Sequence, residues 1–449
     1  MTDAAPRKLS LFDATMLVMG GILGIGIFFN PADIAREVPA PGPYLAMWGL
    51  GALAALSGAM TFAELSAAFP RTGGWYVFLR EAFGSCVSFL FAWVVLLVVS
   101  TGACALVARF FSAQVGELAG LGSGGELAVA AGVVLAVTGV GIAGLKSGAL
   151  FQNLCMLLKL AAVGTFILFG LALFAGPAEA EAVAAADRTS TGLLDGMLGA
   201  SLSVLFSYGG WQLISYVAPA VKDPERNLPR AIVIGVAGVA VIYLLVNLAY
   251  LRVLGIGGLA ARADGTMANR MAELALGESV GASFVAAAMA VSALGFLVAT
   301  LITTPGIYVA MAREGLFLRA FARMHPRTGA PVVALVTQCA LVLMYLAWSA
   351  YDESHVDTLT KAVVFAEWIF HGLAGVALIT LAPRLGPGRP FRSAWFPLFP
   401  ATYATLAAAI VVGNLVVTRA EVTMLGVGVL AAGWVVHRLW HGSRPTAAG

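Results

Sequence analysis

Long apolar runs alternate with short charged or Pro- and Gly-rich breaks along almost the whole chain. Most of these runs approach the length of about 20 residues that an α-helix needs to cross a bilayer. The pattern predicts an all-α polytopic membrane protein with twelve transmembrane helices. The predicted spans lie at 14–38, 43–68, 84–112, 126–143, 150–175, 193–219, 231–254, 281–311, 331–349, 361–382, 395–417 and 422–440.

The first and sixth spans differ from the others because glycines interrupt them in the middle. These glycines are Gly20, Gly21, Gly24 and Gly26 in the first span and Gly209 and Gly210 in the sixth. The two breaks are about 185 residues apart, which predicts a five-plus-five repeat followed by two extra helices. The second copy is inverted because each copy has an odd number of spans. Broken helices at matching positions indicate a substrate site near the bilayer midplane.

The same pattern predicts the organisation of the chain. We expect a cytoplasmic tail at 1–13, a core at 14–382 made of repeats at about 14–175 and 193–382, two additional helices within 395–440, and a cytoplasmic tail at 441–449. Most of the 26 lysines and arginines fall on the side of the N-terminus. By the positive-inside rule, both termini are therefore predicted to be cytoplasmic, in a plasma or inner membrane.

Composition narrows the function further. The chain of 449 residues is 60% hydrophobic and 11% charged, whereas soluble domains carry about 25% charged residues. This excludes an ordinary soluble enzyme, and a net charge of +3 leaves no basic surface for nucleic acid. We predict no metal, cofactor or disulfide, since the four cysteines (Cys86, Cys104, Cys155 and Cys339) lie in apolar runs without ligand spacing.

The break in the first span could bind a carboxylate. Glycine disfavours a helix interior by about 1 kcal/mol relative to alanine, and Pro31 is suited to start a second half-helix. Free amides at the start of that half-helix, together with its positive dipole end, favour an anion. The alternative is close helix packing through small residues.

The break in the sixth span, in the sequence Phe206-Ser207-Tyr208-Gly209-Gly210-Trp211, could bind an ammonium group. Paired glycines free backbone carbonyls that can accept hydrogen bonds, and the flanking aromatic rings could close over a solute. The alternative is that these rings are core or interfacial anchors. Together, the two breaks describe a receptor for a zwitterion.

Few ionisable residues lie inside the spans, and each is a candidate for coupling or gating. Lys159 lies deep in the fifth span, where snorkelling is the alternative to a functional role. Glu64, at the cytoplasmic end of the second span, is either a structural cap or a gate. Glu367 either faces the site or faces away from it. His371, one turn later, is interpreted as a partner within the core.

Several motifs resemble those of the amino acid–polyamine–organocation transporter superfamily, and most closely its L-type amino acid transporter branch. They occur in the family order and cover about residues 10–440. The motifs are Gly24-Ile25-Gly26-Ile27-Phe28, the Phe206–Trp211 sequence, VKDPERNLPRAI at 221–232, Phe62-Ala-Glu-Leu65, Arg71-Thr-Gly-Gly-Trp-Tyr76, Arg313-Glu-Gly315 and Phe365-Ala-Glu-Trp-Ile-Phe370.

The resemblance implies the inverted-repeat fold of the bacterial leucine transporter and a set of substrate contacts. These contacts are the amides of Ile25, Gly26 and Ile27 for the carboxylate, the carbonyls of Ile22, Phe206 and Gly209 for the ammonium, and pocket walls formed by Ser207 and Trp368. Phe206 would also act as a lid. Ile25 departs from the family, which usually has Ser or Ala there, so a hydroxyl contact is lost and the pocket narrows.

The resemblance also implies what the protein does. In the family, a lysine at the position of Lys159 resembles a stand-in for the sodium ion of sodium-coupled relatives, which implies sodium independence. We therefore expect a sodium-independent exchanger of neutral L-amino acids and not an enzyme. The alternatives are a proton-coupled symporter or a cationic amino acid transporter. The loop at about 113–126 has no cysteine, so no disulfide-linked heavy subunit is expected.

Overall fold

The computed structural model describes residues 8–174, 192–262, 267–350, 354–417 and 420–442. Within them the chain is helical, and the single β-type contact recorded is an isolated bridge between Leu9 and Val221. The segment between the two predicted repeats and most of both predicted tails lie outside the described residues. The all-α prediction is confirmed for the described part of the chain.

The described residues form fifteen mainly α-helical segments, two of which contain π-helical turns at Val95–Val99 and Phe169–Leu173, with one long and one short 3₁₀ helix, the short one at Arg319–Ala322. The α-helices are α1 Leu11–Ile22, α2 Gly26–Glu37, α3 Pro41–Ala68, α4 Trp75–Phe83, α5 Ser85–Ala119, α6 Ser123–Ile142, α7 Leu145–Leu173, α8 Leu193–Ser207, α9 Pro224–Ala260, α10 Met267–Leu276, α11 Glu278–Arg313, α12 Val332–Ser349, α13 Ser354–Leu385, α14 Leu398–Val417 and α15 Ala420–Gly442. The long 3₁₀ helix, Trp211–Ala220, follows α8.

In the described part of the chain, each predicted apolar run overlaps one helix or, at the two breaks, a pair of helices, with ends that differ by a few residues. Among the described residues, eight helices are long and apolar enough to cross a membrane, and α1 with α2 forms a ninth candidate as a bent pair. The count of twelve spans and the inverted-repeat topology remain predictions. The short helices α4 and α10 were not predicted, because a search for long apolar runs does not detect helices of about ten residues.

Two local predictions were wrong. Pro31 does not start the second half-helix, because α2 begins at Gly26 and contains Pro31 in its interior; Ile25 already has helical backbone angles, so the helix begins before the proline. The predicted loop at 113–126 is mostly helical. It shrinks to residues 120–122, where Gly120 adopts a left-handed conformation (φ 66°) that ends α5.

Helix α7 exposes apolar side chains on its outer face and buries polar side chains on its inner face. Its outward face exposes leucines such as Leu150 and Leu157, whereas its inward face buries Gln152, Asn153 and Lys159. A helix in water would show the reverse arrangement. Apolar side chains outside and polar ones inside indicate a hydrocarbon environment, in which polar groups face the interior of the bundle. The chain is therefore an integral membrane protein.

Candidate functional site

The first break separates α1 from α2 and bends the chain by 42°. Helix α1 ends at Ile22, and the amide of Gly24 turns back to donate to the Ile22 carbonyl at 2.8 Å. The first turn of α2 has no side-chain cap, since the N-cap position is Ile25. The first amides of a helix have no intrahelical acceptor. This leaves the amides at Gly26 and Ile27 suited to an anionic partner.

The second break separates α8 from the long 3₁₀ helix. Helix α8 ends at Ser207, and Gly210 has a φ of 120°. Residues with a side chain rarely adopt this conformation, so a glycine is required for the chain to turn here. The carbonyl of Phe206 accepts a long bond of 3.3 Å from the Gly209 amide, and the Tyr208 amide is shared between this carbonyl and that of Leu205. The end of α8 therefore presents weakly engaged carbonyls beside the first break.

The two breaks lie directly against each other. A Cβ atom added to Gly21 would lie 2.8 Å from the Gly210 carbonyl oxygen, and one added to Gly210 would lie 2.3 Å from the Gly21 carbonyl oxygen. Only glycines allow such a close approach of two backbones. The Tyr243 hydroxyl of α9 bridges them as well, at 3.0 Å from the carbonyls of both Ile22 and Ser207.

A cavity of about 220 Å³ opens beside this contact. Its walls come from both breaks and from α5, α11, α12 and α13. At its far end it reaches Arg109 and Ser349, where the Arg109 guanidinium donates to the Ser349 carbonyl at 3.0 Å. Ser349 is the last residue of α12, so the cavity extends from the helix breaks to one end of the bundle.

The opposite end of the bundle is closed around the start of α1. The Leu9 amide donates to the Ala220 carbonyl at 2.8 Å. Buried Asp13 accepts a hydrogen bond of 2.9 Å from Asn153 of α7 and forms an ion pair with Lys146. The start of α12 lies on this side too. Thr328 in the turn before α12 contacts Gly144 in the turn before α7, where an added Cβ atom would lie 3.2 Å from the Thr328 carbonyl oxygen. The cavity and this seal are therefore at opposite ends.

Nearly all residues predicted for the substrate site line the cavity. Those that line it are Ile22, Ile25, Gly26, Phe206, Ser207, Gly209 and Trp368. Ile27 does not line the cavity, and its side chain is buried in the core. Of the predicted gating residues, Glu367 lines the cavity, whereas Lys159 and Glu64 lie elsewhere.

Lys159 lies behind the first break and is only 2% exposed. Its ammonium donates to the Leu23 carbonyl at 2.7 Å and lies 3.4 Å from the Gly20 carbonyl. On its other side it packs against α11, where a Cβ atom added to Gly295 would lie 2.9 Å from the nitrogen. The side chain thus contacts the broken helix and α11 together and does not snorkel to the surface.

The sequence pattern of the amino acid permease family matches residues 9–436. The chain belongs to the amino acid permease family. Together with the relatives described next, this confirms the resemblance to the superfamily and its L-type branch, and it places the chain in a family of transporters.

The permease is similar in sequence to amino acid transporters from bacteria and mammals. The serine/threonine exchanger SteT of Bacillus subtilis (strain 168) is 29% identical over 415 residues, with 92% of both chains covered. The b(0,+)-type amino acid transporter 1 of Homo sapiens is 27% identical over 398 residues, covering 85% of this chain and 77% of that protein. The large neutral amino acids transporter small subunit 2 of Mus musculus is 27% identical over 435 residues, covering 95% and 79%.

The permease has a polar cluster on the cavity wall that was only partly predicted. The Gln212 amide donates to Glu367 Oε1 at 3.4 Å, and His371 Nε2 lies 3.7 Å from the same oxygen. The other ring nitrogen of His371 is hydrogen-bonded to the Tyr403 hydroxyl. His371 therefore has the core partners expected of it, but it also reaches the cavity. Gln212 was not predicted, although it lies only two residues after Gly210 of the second break.

Glu64 occupies a different part of the permease. Its side chain is fully buried, pairs with Arg389 and accepts the Ser393 amide at 3.1 Å. The Arg389 guanidinium also packs over the Phe396 ring, 4.7 Å from its centroid. These contacts fasten the segment between α13 and α14 to the end of α3. In this structure Glu64 has the contacts of a structural anchor.

Proposed function

We propose that the permease is a sodium-independent exchanger of neutral L-amino acids that works by alternating access. The observation that carries this proposal is the pair of helix breaks that touch at Gly21 and Gly210 and line one cavity. One break offers free amides and the other offers weakly engaged carbonyls, which are complementary to the carboxylate and ammonium groups of an amino acid.

The substrate would lie across the two breaks. We assign its carboxylate to the amides of Ile25, Gly26 and Ile27, at the start of α2. We assign its ammonium mainly to the carbonyls of Phe206 and Gly209. The Ile22 carbonyl, another predicted ammonium ligand, already accepts bonds from the Gly24 amide and the Tyr243 hydroxyl. It would therefore contribute less.

The walls around the proposed substrate side chain favour a neutral residue. Ile25, Phe206 and Trp368 are uncharged, and the isoleucine narrows a position that is smaller in most relatives. The Phe206 ring is 54% exposed, so it has room to close over a bound substrate as a lid. The Ser207 hydroxyl donates to the Ser203 carbonyl at 2.8 Å, so it would contribute to the wall without donating to substrate.

The position of Lys159 supports sodium independence. Its terminal amino group donates to the Leu23 carbonyl of the broken helix and packs against α11. A sodium ion placed there would have to compete with this group for the same carbonyl oxygen. Exchange, as opposed to one-way transport, is supported by the similarity to the serine/threonine exchanger.

We also propose that both termini are cytoplasmic in a plasma or inner membrane, and that no disulfide-linked heavy subunit is needed. The first proposal is supported by the distribution of lysine and arginine. The second is supported by the short connection between α5 and α6 at residues 120–122, which contains no cysteine. Protease protection of a tag at each terminus in intact cells would test the orientation.

The function is tested by uptake of radiolabelled leucine, alanine, serine and lysine into proteoliposomes without sodium. We expect uptake of a neutral amino acid to rise strongly when unlabelled substrate is loaded inside. Equal uptake into empty and loaded vesicles would contradict exchange. Uptake of none of the four, by protein that is folded and inserted, would contradict amino acid transport itself.

A second candidate function rests on the cluster of Glu367, His371 and Gln212 at the cavity wall. A carboxylate there could attract a cationic side chain, and its contact with His371 could hold a proton that is transported with the substrate. A cationic amino acid transporter requires uptake that favours lysine over leucine, and a proton-coupled symporter requires uptake that follows an inward proton gradient into empty vesicles. The neutral exchanger requires neither.

A further inference from the structure

Helices α2 and α8, which border the two breaks, pack side by side over their whole length. At the end away from the breaks, glycines allow close contact: a Cβ atom added to Gly196 would lie 2.2 Å from the Glu37 carbonyl oxygen, and one added to Gly199 would lie 2.9 Å from Glu37 Oε2. At the end beside the breaks, the contact is made by one polar side chain, Asn30.

Asn30 directs its side-chain amide into the last turns of α8. Its Nδ2 donates to the Ser203 carbonyl at 3.0 Å and to the Ser207 hydroxyl at 2.7 Å. The Ser207 hydroxyl in turn donates to the Ser203 carbonyl. Both amide protons of Asn30 are therefore used between the two helices, and the three polar groups satisfy one another.

These bonds lie directly beside the proposed substrate contacts. A Cβ atom added to Gly26 would lie 3.0 Å from Asn30 Nδ2 and 3.3 Å from the Ser207 hydroxyl oxygen. Gly26 carries one of the amides assigned to the carboxylate. Ser207 follows Phe206, whose carbonyl is assigned to the ammonium. The Asn30 amide thus joins the first turn of one binding element to the last turn of the other.

We infer that Asn30 is a positioning residue that sets the distance between the carboxylate-binding amides and the ammonium-binding carbonyls. This inference rests on the proposed function. An α-amino acid has one carbon between its two charged groups and a β-amino acid has two. A site held at one spacing binds the first better than the second, because preorganised donors and acceptors match only one geometry. Asn30 therefore contributes to selection of α-amino acids.

The test compares L-alanine with β-alanine, which have the same atoms but a different spacing of charges. Each is used to inhibit uptake of radiolabelled L-serine or L-leucine into proteoliposomes, and the ratio of their inhibition constants is measured. We expect the preference for L-alanine to fall about tenfold in Asn30→Ala, which corresponds to about 1.4 kcal/mol, at the lower end of the net contribution of two hydrogen bonds. L-alanine should also inhibit the variant less well.

Two further variants make the test specific. Ser207→Ala removes one of the two acceptors of Asn30 and should lower the ratio by less, about threefold; it can replace Asn30→Ala if that variant does not fold. Asn227→Ala is the matched control, because Asn227 makes an exposed bond of 2.6 Å to the Lys222 carbonyl, away from the cavity. Its ratio should equal that of the wild type.

The outcomes separate this inference from the proposed function. If the wild type transports an amino acid and both Asn30→Ala and Ser207→Ala keep its α-to-β ratio, the positioning role is overturned while the transport function stands. If only the turnover rate falls and the ratio is unchanged, Asn30 acts on the conformational change and the inference again fails. If the wild type transports no amino acid, the proposed function itself fails, and the inference fails with it.

Discussion

Replacing Tyr243 with phenylalanine tests whether the two breaks are held together by a single hydroxyl group. Tyr243 is fully buried, and its hydroxyl lies 3.0 Å from the carbonyls of Ile22 and Ser207. The substitution removes one oxygen and leaves the ring in place. Any effect therefore comes from the lost hydrogen bond and not from a cavity.

The expected size of the effect follows from the hydrogen bonds that the Tyr243 hydroxyl makes. A hydroxyl has one proton and donates one full hydrogen bond, shared here between two carbonyls. The Ile22 carbonyl keeps its bond from the Gly24 amide, whereas the Ser207 carbonyl loses a donor in a buried setting. Leaving a buried acceptor without a partner costs about 1 to 3 kcal/mol. That is about 5- to 150-fold in the population of the joined conformation.

The assay is the initial rate of exchange into proteoliposomes as a function of external substrate concentration. We expect Tyr243→Phe to raise KM at least fivefold, because fewer molecules hold both binding elements in register. Tyr250→Phe is the matched control: Tyr250 lies two turns later on α9, is equally buried, and its hydroxyl makes no hydrogen bond within the described part of the chain. KM and turnover of Tyr243→Phe within twofold of the control would refute the reasoning.

Three other substitutions test the remaining parts of the site. Gly26→Val places a side chain 3.0 Å from Asn30 Nδ2, so it should abolish substrate binding measured by equilibrium dialysis while the protein still inserts; normal transport would exclude the site. Lys159→Ala should slow turnover more than it weakens substrate binding, because it removes the side chain that contacts both the first break and α11; equal effects on turnover and binding would count against this coupling role. Glu367→Gln should leave the preference for leucine over lysine unchanged in a neutral exchanger, and a shift of that preference in competition assays would favour the cationic alternative.

Local signals in the sequence were sufficient to locate the breaks. Gly24, Gly26, Gly209 and Gly210 interrupt apolar runs, and this pattern depends only on neighbouring residues. The cavity forms where the breaks meet, and six of the predicted residues that line it lie at or near these glycines, whereas Trp368 lies far along the chain. The assignment of all seven to substrate contacts came from the family resemblance. A buried, hydrogen-bonded environment for the Lys159 amino group was also predictable, because an ionisable side chain within a span requires polar partners nearby.

The contacts between distant segments were not predictable from one sequence. Tyr243 and Ile22 are 221 residues apart, and Asn30 and Ser207 are 177 apart. Nothing in the local pattern around Tyr243 or Asn30 distinguishes a bridging side chain from an ordinary core residue. The role of Glu64 was left open for the same reason, because its partner Arg389 lies near the other end of the chain.

The anchor at Glu64 has a consequence for how the protein is made. Glu64 emerges early in synthesis, but the Ser393 amide that it accepts is 329 residues further along. Removing one partner from a buried ion pair typically costs about 3 to 5 kcal/mol. Until the segment after α13 has been translated and folded back, α3 therefore carries a carboxyl group without its ion-pair partner. Assembly of the helices that form the cavity is thus completed only by sequence that follows all of them, and nascent chains ending before Arg389 should be recognisable targets for membrane quality control.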